Sequence, residues 1–178
     1  MQINQYEWMA KNLKIVSKEG EIVPLNANFA QQKVLNTAYE FQEKNNLPVR
    51  LIILKARQTG ISTIIAGRYF LETNLFSNKT ASLVSADQKS TDKVFRMSKL
   101  FQAYMPAEER LETEYSSRKE IVYSAPHNSK LSISTAGGDV VGRGGSTHYL
   151  HASELAFWNN AKAQMGAMLQ EIPDNPNT

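Results

Sequence analysis

Lys55, Arg57, Gly60, Ser62 and Thr63 lie within the nine residues Lys55-Ala56-Arg57-Gln58-Thr59-Gly60-Ile61-Ser62-Thr63. Two cations, a glycine and a pair of hydroxyls at this spacing suit phosphate binding. In a loop of pattern G-x-x-x-x-G-K-[ST], backbone N–H groups cradle phosphates, the lysine reaches the β/γ oxygens and the hydroxyl meets Mg²⁺. Gly60 takes the second glycine of that pattern and Ser62 the hydroxyl, with Thr63 as its fallback. Ile61 stands where the lysine belongs, and Lys55 where the first glycine belongs. The lysine has therefore moved to the front of the loop, and Arg57 adds a second cation. The alternative is an ordinary strand-turn-helix with a solvated Lys and Arg.

A second cluster lies downstream, at Tyr149-Leu150-His151-Ala152-Ser153-Glu154. An apolar strand ending in an acidic pair can hold Mg²⁺ through its first carboxylate and polarise the attacking water with its second. Here Ser153 offers a hydroxyl in the first position, so Mg²⁺ would lean on Ser62, the phosphates and water. Glu154 keeps the second carboxylate; the alternative for it is a surface residue. His148 and His151, three apart on a strand, point to opposite faces and make no metal pair.

Several elements must position these groups. Val49 to Leu54 reads as a buried central strand feeding the loop, apolar on both faces. A helix from about Ser62 to Phe76 follows, and its dipole and free N–H groups favour a bound phosphate. Asn28 and Gln31 form a capping box at the start of a helix running to about Asn45. Thr80 to Ala86 is a second strand. The helix after it, from about Asp87 to Tyr104, carries a basic stripe of Lys89, Lys93 and Arg96 that by itself reads as a solvated face; in helicase-like motors, which this order of elements resembles, the matching segment lies near the DNA path. Residues 106–119 read as a loop or short helix, and Glu120–Ser124 with Lys130–Thr135 as a hairpin whose turn holds a surface His127. Residues 137–146 hold five glycines around Arg143. Such a loop suits close approach to a ligand, with Arg143 either an arginine finger or incidental to a hinge. A last helix spans about 161–171. Residues 5–16 give a short amphipathic pattern that either packs on the main domain or projects.

The totals agree with one globular domain. The chain has 178 residues, 42% hydrophobic and 21% charged, with a net charge of +3. The mild excess of positive charge is compatible with a polyanion partner. No cysteine is present, which excludes disulfides and thiolate metal sites. No apolar run reaches the roughly 18 residues of a membrane helix.

The loop form K-x-R-Q-x-G-x-S-T resembles the deviant Walker A motif of viral large terminases, the motors that package DNA into capsids. Leu150-His151-Ala152-Ser153-Glu154-Leu155-Ala156-Phe157-Trp158 resembles their Walker B region, with its preceding Gly-Arg-Gly loop. The resemblance covers about residues 28–160. It implies an α/β P-loop NTPase of the additional-strand, helicase-like kind, with a largely parallel sheet flanked by helices. It implies an arm over 1–25 and an ATPase domain over 26–178, truncated, with the rest of the core and a nuclease domain lying beyond.

The implied activity is ATP hydrolysis, with ATP and Mg²⁺ as cofactors, weak or absent in the isolated fragment. It would drive double-stranded DNA into a procapsid, with a portal protein, a small terminase subunit and a ring of copies as partners, in the host cytoplasm. By the same resemblance Lys55 and Arg57 contact phosphates. Residues Ala56, Gln58, Thr59, Gly60, Ile61 and Thr63 supply loop backbone. Ser62 and Ser153 face Mg²⁺, Glu154 orients water, and Arg143 is a finger or sensor. Gln31 or Gln32 reads adenine, although the capping box accounts equally well for Gln31. Two rivals stay open: another helicase-superfamily DNA-dependent ATPase, and a nucleotide-binding module that has lost catalysis.

Overall fold

The structure, a computed structural model, describes residues 4–117, 119–137 and 146–174. Helices begin where the sequence supplies a cap. Asn4 accepts backbone N–H groups at the start of α1 (Gln5–Asn12), and Asp87 does so for α4 (Gln88–Tyr104). Asn28 and Gln31 close a full capping box on α2 (Phe29–Asn45). The exceptions are α3 (Ile61–Leu75), which follows Gly60, and α5 (Ala161–Leu169), which follows Asn160; neither has a side-chain cap.

The main sheet runs in the order β4 (Thr113–Ser116), β5 (Glu120–Tyr123), β6 (Lys130–Thr135), β3 (Thr80–Ser85), β7 (Tyr149–Ala152). β3 is parallel to both β6 and β7, while β4–β5 and β5–β6 are antiparallel. The sheet is thus mixed rather than largely parallel, its parallel part confined to the three strands nearest the site. A separate hairpin, β1 (Lys14–Val16) with β2 (Ile22–Pro24), follows α1.

Alternation along β3 builds two cores. Ala81 and Leu83 face α3 and α4 with Ile64, Phe70, Phe101, Ile121 and Ile133. The rings of Phe70 and Phe101 meet edge-on at 5.6 Å. Val84 points the other way, onto Trp158 and Met168, the latter from α5 (Ala161–Leu169). Of the two possibilities for the N-terminal segment, packing is the one observed. Met9, Leu13 and Leu25 are fully buried in the first core. The small Gly67 of α3 makes room for them: a Cβ there would lie 2.6 Å from Leu25 Cδ2.

β7 lies along α3. Tyr149 donates to the Glu72 carboxylate at 3.1 Å, and Tyr69 donates to the Leu150 carbonyl at 2.8 Å. Glu72 is buried, and its charge is matched by Arg68 one turn back on the helix. The N-terminus of α3 therefore sits at the C-terminal end of β7.

Three expectations need correction. Residues 49–54 form no strand: Ile52 is 96% and Leu54 97% exposed. An apolar run becomes a strand only when a neighbour satisfies its backbone groups. β7 has β3 on one side and no strand among the described residues on the other. Residues 113–116, read as loop, form edge strand β4, whose exposed side chains give no apolar alternation to detect. His127 is no simple surface residue. Its Nε2 donates to the Thr73 carbonyl at 2.8 Å and its Nδ1 accepts from Ser77 at 3.3 Å, tying the β5–β6 turn to the end of α3. No helix among the described residues is long and apolar enough to cross a membrane.

Candidate functional site

The loop before α3 is shaped by two residues in the left-handed region, Gln58 at φ 61° and Gly60 at φ 74°. The start of α2 holds it from one side. Asn28 Nδ2 donates to the Thr59 carbonyl at 3.3 Å, and Gln31 Nε2 donates to the Gly60 carbonyl at 2.8 Å. Within the loop, the Thr59 hydroxyl donates to the Ala56 carbonyl at 3.3 Å. The first helical hydrogen bond of α3 is Ile64 N–H to Gly60 C=O. The N–H groups of Ile61, Ser62 and Thr63 precede it and have no side-chain cap, so they are available to an anion.

Gly60 is required twice over. A non-glycine residue in the left-handed region costs about 1–2 kcal/mol, and a Cβ at Gly60 would lie 2.6 Å from Gln31 Nε2. Gly60→Ala is expected to lower stability by about 2 kcal/mol, a melting shift of roughly 4–8 °C for a domain of this size. Thermal melts followed by circular dichroism check it. In a Gln31→Ala background the loss should shrink, because the crowded amide is gone.

Ile61, at the usual lysine position, is 3% exposed and offers no charge. Lys55, Ala56, Arg57 and Gln58 are exposed, while Thr59, Ser62 and Thr63 are half-buried. The second cluster comes to the same place. Ser153 Oγ lies 3.2 Å from Ser62 Oγ, across 91 residues of sequence. The turn after β7 is fixed on both sides. Ser153 N–H donates to the Val84 carbonyl at 2.8 Å, and the buried Trp158 donates its indole N–H to the Ser153 carbonyl at 3.0 Å. Glu154 follows in the left-handed conformation, φ 56°, with its side chain exposed.

His151 was legible only as a strand residue without a metal role. Its Nε2 lies 3.5 Å from Ser62 Oγ. Burial, with the Lys55 charge adding to it, pushes the His151 pKa down to about 4. The signal was present in the sequence, since His151 and Ser153 are two apart on a strand and share a face. His148, on the same strand's approach, instead accepts the Thr80 N–H at 3.0 Å, apart from the cluster.

Both glutamines lie in the first turn of α2. Gln31 is buried, with its carbonyl oxygen taken by Asn28 N–H and its amide by Gly60, so its visible work is to hold the loop. Gln32 is exposed and donates to the Ala27 carbonyl at 2.9 Å. It shares a shallow groove of about 380 Å³ with Phe29, Lys33, Asn36, Thr37 and Glu40. Arg143 lies outside the described residues.

No group of three or more His, Cys, Asp or Glu side chains is placed to hold a metal among the described residues. The paired hydroxyls of Ser62 and Ser153 fit a hard, oxygen-seeking cation that keeps water and substrate phosphates as its remaining ligands, as Mg²⁺ does. They do not fit a dedicated all-protein metal cage.

Fold and site together define an α/β unit with an anion-receptive loop and helix start at the C-terminal edge of its parallel strands, where ligands of such sheets bind. The crystal structure of the HK97 bacteriophage large terminase has this fold, with a TM-score of 0.74 and 15% sequence identity. The similarity covers 97% of this chain and 35% of that one, so this chain spans about a third of the length of that terminase. No family model matches the chain, and no curated protein sequence does.

Proposed function

We propose that this chain is the ATP-binding and hydrolysing unit of a large terminase, a P-loop NTPase of the helicase-like kind that moves double-stranded DNA into a procapsid. The observation that carries it is the meeting of the two motifs, Ser62 Oγ against Ser153 Oγ at 3.2 Å, at the uncapped start of α3. The fold shared with a phage large terminase supports the same reading.

The roles follow from position. The N–H groups from Gly60 to Thr63 cradle the phosphates, and Lys55 with Arg57 supplies the cationic charge that Ile61 lacks. Ser62 and Ser153 face the Mg²⁺, which when bound neutralises charge on the β/γ oxygens. Glu154 accepts a hydrogen bond from water and aligns it on the γ-phosphorus. Because Gln31 is buried with both its carbonyl oxygen and its amide committed, contact with adenine falls to the exposed Gln32, with the 83% exposed Phe29 beside it as a stacking surface. Arg143 is kept as a finger or sensor. The exposed Lys89, Lys93 and Arg96 of α4 are a row for the DNA backbone. A portal protein, a small subunit and further copies of the chain are the assembly partners, in the host cytoplasm.

One second reading has an observation behind it. The buried Ile61 and the hydroxyl at Ser153 leave the site with one cation moved and one carboxylate fewer than such sites usually hold. A module that binds nucleotide without turning it over has these features. Titration of the purified chain with ATP, with and without Mg²⁺, followed by phosphate release with and without duplex DNA, separates the two. Saturable, Mg²⁺-dependent binding with release supports the ATPase, and binding with no release even from the motor assembled with its partners on duplex DNA supports the module. No binding at millimolar ATP would sink both.

A further inference from the structure

Ser62 has an unusual pair of neighbours. A hydroxyl that turns its oxygen lone pairs to a cation must give its proton to some other acceptor. Two side chains stand within reach: Ser153 Oγ at 3.2 Å and His151 Nε2 at 3.5 Å, the latter at the outer edge of hydrogen-bond distance. Ser153 is an awkward acceptor, because it brings a proton of its own that needs a place. A neutral imidazole whose Nδ1 carries the hydrogen presents Nε2 as a pure acceptor.

The placement of His151 is built into the fold. Tyr149, His151 and Ser153 alternate onto the face of β7 that meets α3. Tyr149 is held there by Glu72 and by the Tyr69 ring, whose centroid lies 5.6 Å from its own. The Tyr69 hydroxyl grips the Leu150 carbonyl. Together these contacts fix how far β7 slides along α3, and so hold His151 level with the first turn of the helix.

We propose that His151 is a positioning residue for Ser62. Its Nε2 accepts the Ser62 hydroxyl proton, which aims the Ser62 oxygen at the Mg²⁺–phosphate site, with Ser153 completing the hydrogen-bonded group. A strand histidine thereby supplies the acceptor that a carboxylate at position 153 would have supplied. This rests on the reading of the site as one that binds ATP with Mg²⁺.

The test compares two small polar replacements. In His151→Gln the carbonyl oxygen reaches about as far as Nε2; in His151→Asn the shorter side chain stops near the Nδ1 position. Both are measured by titration with a fluorescent ATP analogue, in Mg²⁺ and in EDTA, with melts to confirm folding. His151→Asn is expected to weaken binding in Mg²⁺ about tenfold and to leave binding in EDTA within about twofold. His151→Gln should restore most of the loss. In a Ser62→Ala background neither change should matter, because the proton to be placed is gone.

Equal loss for Asn in Mg²⁺ and EDTA would mean a general structural role and would overturn the proposal. So would no loss at all, no rescue by Gln, or a full loss that persists without the Ser62 hydroxyl. A parent chain that binds no nucleotide in either condition removes the proposed function, and this inference with it. A parent that binds normally while His151→Asn behaves like it removes the inference alone.

Discussion

In the assembled motor of the proposed function, Glu154→Gln is expected to leave ATP binding nearly unchanged and to cut the rate of phosphate release by about 10²-fold or more. Ser153, one residue earlier, touches Ser62 at the start of α3, so Glu154 is carried to the rim of the same site. Its backbone sits in the left-handed region, and its carbonyl accepts the Phe157 N–H at 2.9 Å, which makes a tight turn of the strand end. The buried Trp158 anchors that turn through the Ser153 carbonyl. A carboxylate there can accept a hydrogen bond from water and hold it in line with the γ-phosphorus; an amide of the same shape donates as readily as it accepts and is no base. The serine beside it cannot stand in, because its hydroxyl is far too weak a base near neutral pH. Because glutamine keeps the size and the backbone preference, lost turnover with retained binding isolates the chemistry. Steady-state phosphate release beside an ATP titration reads both, and a variant that releases phosphate at the parent rate would remove Glu154 from the role.

The local devices of the site were legible because each is read from neighbours in sequence. Asn28 and Gln31 three residues apart specify a capping box, and the capping box is there. Gly60 was legible as the loop glycine ahead of a helix, and it stands there, opening α3. Tyr149 to Ala152 was legible as a strand ending just before Ser153. What failed needed information from distant partners. Val49 to Leu54 has the composition of a buried strand, yet burial depends on a neighbour that no pattern within six residues can reveal. The capping-box Gln31 also spans 29 residues to grip the Gly60 carbonyl, a second use of one amide. His127 and His151 look alike in sequence, single histidines without a partner motif. One ties a turn to a helix end and the other meets Ser62, because the parallel pairing of β7 with β3 brings its far end beside α3.

Lys55→Ala is expected to raise the dissociation constant for ATP about tenfold or more, the loss of a charge-assisted contact of roughly 1.5–3 kcal/mol. Ile61 cannot compensate, since its side chain is buried as the first residue of α3. Arg57 and Lys55 are both exposed on the loop, so charge alone does not choose between them. Position does: the Lys55 ammonium is near enough to His151 to help hold that imidazole neutral. That histidine lies beside Ser62, where the two serine hydroxyls meet. Arg57→Ala serves as the comparison, because removing any cation weakens the general attraction for a tetra-anionic ligand. That general part is screened as salt shortens the Debye length from about 10 Å at 0.1 M to 3 Å at 1 M, whereas a direct contact persists. The Arg57→Ala deficit should fade on raising salt, and most of the Lys55→Ala deficit should remain. If Lys55→Ala binds ATP as the parent does, or if its deficit vanishes with salt just as that of Arg57→Ala does, the front of the loop is not where the phosphate charge is met.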